Sequence, residues 1–211
     1  MREIQQMQWR CPKVQLALLL LILLGSVITQ TSAESAKTNA SEQVEVKQPV
    51  QKIENSKAPA RLNQLAPDFD LPAESGEMVR LSDFRGKKRV VVYFYPKDET
   101  PNCTKEACTF RDSYEELKDL GADVIGISSD SVGSHKSFAE KHKLPFLLLS
   151  DPEGKVRAQW GVPASFAILP GRVTYVIDKK GIIRRIFNSQ LDGAKHVAEA
   201  KKALALLKAE D

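Results

Sequence analysis

The run Val90-Val91-Val92-Tyr93-Phe94-Tyr95 constrains this chain more than any other feature. A succession of β-branched and aromatic residues without polar alternation suits a strand covered on both faces, which belongs inside a layered α/β sheet. The flanking sequence agrees. After Pro96, the residues Ala107, Phe110, Tyr114 and Leu117 recur at three- and four-residue steps, marking one face of a helix that stops at Gly121. Val124 to Ile127 reads as a strand, Ser137 to Lys143 as a helix, Phe146 to Leu149 as a strand and Val156 to Trp160 as a short helix. Upstream, Phe69 to Leu71 and Met78 to Leu81 flank Ser75-Gly76 as a hairpin. Downstream, Val173 to Ile177 and Ile182 to Phe187 flank the turn Asp178-Lys179-Lys180-Gly181, and Ala194 to Lys208 forms a last amphipathic helix. Strands alternating with helices and ending on a strand pair predict an α/β fold, a central mixed β-sheet flanked by helices.

That pattern accounts for one domain over 61–211. Ahead of it, Arg2, Arg10 and Lys13 precede the apolar run Val14 to Ile28, and Thr31-Ser32-Ala33 follows it. The run has fifteen residues, whereas a spanning helix needs about 20. Residues 1–33 are therefore read as a signal peptide cut after Ala33, or as an N-terminal membrane anchor held by 14–28. Either reading predicts export to a periplasm or another extracytoplasmic compartment. Residues 34–60 hold Ser, Thr, Asn, Gln, Glu and Lys with no aromatic residue, the composition of a disordered linker. A net charge of +4, evenly scattered, argues against nucleic-acid binding. The three cysteines are too few for a disulfide-stapled miniprotein or a four-cysteine zinc site. Cys11 lies before the apolar run, so it is not the cysteine of a lipoprotein signal.

The chemistry concentrates after the Val90 strand. Thr100-Pro101 is a helix start, with Thr100 as N-cap and Pro101 at the first helical position. Cys103 then falls in the first turn, beside unpaired backbone N–H groups and the positive end of the helix dipole, a setting that favours thiolate over thiol. Cys108 lies five residues on. In an intact helix that step separates the Cα atoms by roughly 8.6 Å, beyond the limit of about 7 Å for a disulfide. The two cysteines can bond only if the helix unwinds, so the reduced form is expected to be helical and the oxidised form locally melted. A metal reading is weak: the cysteines lack C-x2-C spacing and no histidine cluster completes a ligand set. His135, His142 and His196 are separate in sequence and read as solvent-facing. Neither a cofactor nor a metal is expected.

At these residues a family resemblance becomes close. Pro96-x3-Thr100-x2-Cys103 resembles the active-site motif of the peroxiredoxins. The string from Phe94 to Asp98, with Cys108-Thr109-Phe110-Arg111-Asp112, resembles the peroxiredoxin Q, or bacterioferritin comigratory protein, branch. Gly126-Ile127-Ser128-Ser129-Asp130, Leu149-Ser150-Asp151 and Tyr175-Val176-Ile177-Asp178 extend the likeness over roughly Leu62 to Leu207. The resemblance implies a thioredoxin-like fold and thiol-dependent reduction of hydrogen peroxide and organic hydroperoxides. By the same resemblance Cys103 would be the peroxidatic cysteine and Cys108 the resolving one, joined in an intramolecular disulfide that thioredoxin or a similar dithiol reduces. Pro96 would shield the thiolate, Thr100 would hydrogen-bond the peroxide, and Arg172 would be the active-site arginine. Relatives of this branch are often monomers, and a monomer is expected. One residue departs: Asn102 stands where the branch often has glycine.

Two other readings remain at this point. One is an exported thiol–disulfide oxidoreductase acting on protein cysteines, although such proteins carry C-x2-C and this chain has C-x4-C. The other is a redox-switched binding protein, in which melting of the Cys103–Cys108 helix would alter a partner surface.

Overall fold

The computed structural model describes residues 59–165 and 169–210. The expected leader over 1–33, and all but the last two residues of the expected linker over 34–60, lie outside these residues. In chain order, a hairpin of β1 (Asp70–Pro72) and β2 (Met78–Arg80) leads through a 3-10 turn, Leu81–Phe84, into β3 (Arg89–Phe94). Then come α1 (Pro101–Asp112), α2 (Tyr114–Asp119), β4 (Ala122–Ser128), α3 (Val132–His142), β5 (Leu147–Ser150) and α4 (Lys155–Gln159). Two short strands, β6 (Ala164–Ser165) and β7 (Leu169–Pro170), precede β8 (Val173–Ile177), β9 (Ile183–Asn188) and the long α5 (Gly193–Ala209).

The main sheet has the order β5-β4-β3-β8-β9. β3 pairs in parallel with β4, and β4 with β5, while β8 runs antiparallel to both β3 and β9. The sheet is therefore mixed, as the sequence pattern predicts, and β3 is its centre. Every residue of β3 is buried. Its side chains alternate between two cores, as the twofold period of a strand requires. Val90, Val92 and Phe94 meet Leu71, Leu81, Val156 and Trp160 from the hairpin, the 3-10 turn and α4. Val91 and Tyr93 meet Ala107, Phe110, Leu117, Phe138 and Leu204 from the helices on the opposite face. An unbroken apolar run is thus what a strand with two packed faces needs.

The predicted helix through Ala107 to Leu117 is in fact two. α1 closes at Asp112 and α2 opens at Tyr114, with Ser113 between them at φ −101° and ψ 4°. The Ser113 N–H still donates to the Thr109 and Phe110 carbonyls, both at 3.2 Å, so the apolar stripe continues across the kink. Phe110 and Leu117 are both fully buried. α3 begins earlier than expected because Ser131 caps it, its hydroxyl accepting from the Ser134 N–H at 3.2 Å.

The reading of the histidines as solvent-facing is corrected for two of them. His135 and His196 are fully buried. The reason is local pairing: the Ser189 carbonyl accepts from His196 Nε2 at 2.8 Å, and Thr174 Oγ1 lies 2.8 Å from Nδ1, so α5 is bolted to β8. Burial pushes the His196 imidazole down to about 4, partly offset by the Ser189 contact.

Two stability predictions follow from this packing. A Cβ at Gly126 would sit 2.7 Å from the Tyr93 ring and 2.8 Å from Leu148 Cδ2, both buried. Gly126→Ala should therefore lower stability by about 1–3 kcal/mol, read as a shifted urea midpoint. Because His196 titrates lower when folded than its ordinary 6.5, its contribution is present above pH 6.5 and lost as pH falls towards 4. The loss should be on the order of 3 kcal/mol. Urea midpoints across that range should fall less steeply in His196→Gln than in the unsubstituted protein.

Candidate active site

The site forms where β3 ends and α1 begins, at the carboxyl edge of the parallel strands. The connecting loop is held by a buried polar cluster. Asp98 accepts from Tyr95 Oη at 2.7 Å and from Ser134 Oγ at 2.7 Å, and its own N–H donates to Asp130 Oδ2 at 2.8 Å. His135 Nδ1 lies 2.9 Å from Asp98 Oδ2 and its Nε2 lies 3.2 Å from the Leu149 carbonyl, so each ring nitrogen faces an acceptor. Burial works against the Asp98 charge, but His135, Tyr95 and Ser134 outweigh it and hold the carboxyl below its ordinary range. The next residue, Glu99, sits in the left-handed region at φ 58°. Such a conformation is costly for a residue with a side chain and persists only where its surroundings fix it.

Thr100 occupies the N-cap position and Pro101 begins the helix, as predicted. The Thr100 hydroxyl does not cap the helix, however; it donates to the Lys97 carbonyl at 3.0 Å. Its backbone carbonyl accepts from the Thr104 N–H at 2.9 Å. The first turn has no acidic side chain, and its amides at Asn102 and Cys103 precede the first intrahelical bond.

Cys103 lies in this turn, 2% exposed, with Arg172 Nη2 at 3.2 Å from its sulfur. Arg172 is itself 2% exposed. Its Nη1 donates to Glu106 Oε2 and its Nε to the Gln190 carbonyl at 3.3 Å. All three guanidinium nitrogens are therefore engaged, and the plane is fixed. Burial opposes the Arg172 charge, but Glu106 and Cys103 outweigh it and raise its pKa further. Full burial pushes the Glu106 carboxyl up, to about 8, against the pull of Arg172 beside it. His196 Nδ1 stands 3.7 Å from the other Glu106 oxygen.

A second arginine supports the first. Arg157 donates to the Tyr95 carbonyl at 2.6 Å and to the Gly171 carbonyl at 2.7 Å, tying the end of β3 to the residue before Arg172. Asp151 orients it by accepting the Val156 and Arg157 N–H groups at 3.3 and 2.8 Å. Gly171 is required there, since a Cβ would come within 1.9 Å of the Pro163 carbonyl oxygen. Pro96, half-buried, follows directly on this tied carbonyl.

The structure thus brings Cys103 and Arg172 into contact, with Thr100 at the N-cap of the Cys103 helix and Pro96 at the start of the loop that leads to it. Cys108 lies further along α1, half-buried, and both thiols are free in a helix that spans the pair. Sequence reasoning missed Glu106, Arg157, Asp98 and His135. Glu106 alone carried a signal: it shares the buried face of Cys103, Ala107 and Phe110, where an uncompensated carboxylate cannot stay.

The chain has known relatives. The family model described as AhpC/TSA matches residues 62–186. The chain is 57% identical over 143 residues to the chloroplastic peroxiredoxin Q of Sedum lineare, covering 67% of this chain and 76% of that one. It is 56% identical over 145 residues to the chloroplastic peroxiredoxin Q of Populus jackii, covering 68% of each. Among solved structures it resembles peroxidoxin BcpB of Mycobacterium tuberculosis, with TM-score 0.65 and 36% identity over 70% of this chain and 98% of that one. These relatives overturn the expectation of export, because the plant proteins are chloroplastic. A basic lead-in and a short apolar run mark an address without specifying which membrane reads it. The reduced thiol pair within α1, the arginine on its first cysteine and the matching relatives agree: the chain belongs to the AhpC/TSA family, among the peroxiredoxin Q proteins, and is a peroxidase of thioredoxin-like fold.

Proposed function

We propose that Cys103 is the peroxidatic cysteine and Cys108 the resolving cysteine of a hydroperoxide reductase recycled by thioredoxin or a similar dithiol. The observation that carries this reading is the buried Arg172 guanidinium, 3.2 Å from the Cys103 sulfur and fixed by Glu106. The Cys103 thiolate attacks one peroxide oxygen, the O–O bond breaks, and the second oxygen leaves with the electron pair. Arg172 and the first-turn amides are donors for the charge that develops there, and the Thr100 hydroxyl joins them on leaving the Lys97 carbonyl. Pro96 helps to shield the sulfur from water. The product is a Cys103 sulfenic acid, which condenses with the Cys108 thiol to a disulfide and water. An external dithiol then reduces the disulfide by exchange.

Spacing demands that α1 unwind before that disulfide closes, and the free thiols within an intact α1 fit the reduced end of such a cycle. A monomer suffices, because both cysteines lie on one helix. The plant relatives favour a plastid as the compartment, with 1–33 as leader and 34–60 as linker to the catalytic domain over 61–211. Family membership favours this peroxidase over protein-disulfide exchange or a redox-switched binding surface.

Two measurements test the reading on the full chain in a Cys11→Ser background, with stoichiometric hydrogen peroxide and free thiols followed over time. The parent protein should lose both thiols to one intramolecular disulfide, Cys108→Ser should accumulate a sulfenic acid, and Cys103→Ser should stay inert. Rapid oxidation of Cys108 in Cys103→Ser would reverse the assignment. Arg172→Lys, which keeps the charge and loses the fork, should lower the second-order rate with peroxide by on the order of 10²-fold.

A further inference from the structure

Cys108 has a partner that the mechanism above does not use. His142, the last residue of α3, places Nδ1 4.0 Å from the Cys108 sulfur. On the other side of the ring, Nε2 lies 3.5 Å from Glu99 Oε2. The ring is held against the Phe138 ring edge-on, centroids 4.9 Å apart at 68°. Thiol, imidazole and carboxylate are thus successive neighbours, contributed by α1, α3 and the loop between β3 and α1. Two further contacts tie the array together. Lys141 Nζ donates to Glu99 Oε2 at 2.7 Å, and Arg111 Nη1 donates to the His142 carbonyl at 2.8 Å. The Lys141 contact and His142 hold the Glu99 carboxyl below its ordinary range despite some desolvation. This also gives the strained Glu99 backbone a local cause: a left-handed residue is kept where its carboxylate meets both neighbours.

We infer that His142 is the base that deprotonates Cys108 for attack on the Cys103 sulfenic acid, and that Glu99 is its positioning residue. The inference rests on the resolving role proposed for Cys108. Nε2 makes no hydrogen bond here, and the carboxylate 3.5 Å away favours the tautomer with the proton on that nitrogen, leaving Nδ1 as acceptor towards the thiol. The Cys108 proton passes to Nδ1, and the thiolate attacks the Cys103 sulfenic sulfur as α1 unwinds. The S–S bond forms while the S–O bond breaks, and the departing hydroxide takes the proton and leaves as water. Cys108 is oxidised and the sulfenic sulfur is reduced, so no further reactant is needed. His142 belongs to α3 and stays in place while α1 opens.

The charged groups around the imidazole and the thiol are Glu99 from the loop, Lys141 on its own helix and Arg111 on α1, whose guanidinium also faces Cys108 and pairs with Asp112 at 2.8 Å. A purely structural role predicts the opposite outcome from catalysis. If His142 only held α1 shut, its removal would free the helix and speed closure at every pH.

The test is a rapid-mixing measurement on the full chain in a Cys11→Ser background, with Cys103 oxidised by one equivalent of hydrogen peroxide. Sulfenic acid and disulfide are then quantified by intact mass from acidic to alkaline pH. His142→Gln should slow disulfide closure by on the order of 10²-fold near neutrality. The gap should narrow as pH rises, because hydroxide then ionises the thiol without the imidazole. Glu99→Gln, which removes the carboxylate beside Nε2, should slow closure in the same direction as His142→Gln but by less. The earlier phase, formation of the sulfenic acid, is the internal control for a folded site. Closure in His142→Gln that is unchanged, faster, or slowed equally at all pH values overturns the inference. Cys108→Ser separates the two layers. If its sulfenic acid vanishes as fast as in the parent protein, the resolving role itself fails; if it persists while His142→Gln closes normally, only the base is wrong.

Discussion

The Arg172 guanidinium is the joint on which the rest of the site depends. It rises from the edge of β8, reaches across to Glu106 and Cys103 on α1, and touches the Gln190 carbonyl after β9. A buried charge without a partner is strongly unfavourable, and removing one member of a buried pair leaves the other uncompensated. Sheet and helix are thereby locked in one relative position, and that position sets the thiol against the guanidinium. Arg157 and Asp151 carry the same logic outward: Arg157 ties the Tyr95 carbonyl to that of Gly171, the residue before Arg172, and Asp151 holds the Val156 and Arg157 amides. Catalytic geometry and fold stability share the same bonds.

This sharing explains what the sequence disclosed and what it concealed. The order of strands and helices was legible because each depends on local periodicity: β3 reads as doubly covered from its own six residues, and Cys103 falls in the first turn because Thr100 and Pro101 start the helix there. Pairings over long separations were not legible. His135 meets Asp98 thirty-seven positions away, and Arg172 meets Glu106 sixty-six away. Nothing in the composition around His135 or His196 distinguishes a buried, bonded imidazole from an exposed one, so both were misplaced. Arg172 was reached only through family resemblance; as one of 31 basic residues it carries no local mark. The kink at Ser113 was hidden for a different reason, because the apolar face runs through it unchanged.

The compartment shows the limit of reading an address by composition. The residues Val14 to Ile28 are mostly apolar whichever compartment they address, whereas the folded domain carries lineage information in its whole length. Relatives more than half identical to it are chloroplastic, and that likeness outweighs a short apolar run.

The two grips of α3 on α1 have a further consequence for chain entropy. Glu99 stands just before α1 and Arg111 near its end, and both are held by the last turn of α3, at Lys141 and His142. A helix that opens between fixed ends gains fewer conformations than one opening from a free terminus, since the chain between them remains a closed loop. The open state is correspondingly less favoured and its search for the closed one shorter. Once a reductant cuts the disulfide, such a segment rewinds as a tethered loop, and the peroxide-binding turn is rebuilt without the domain around it having to refold.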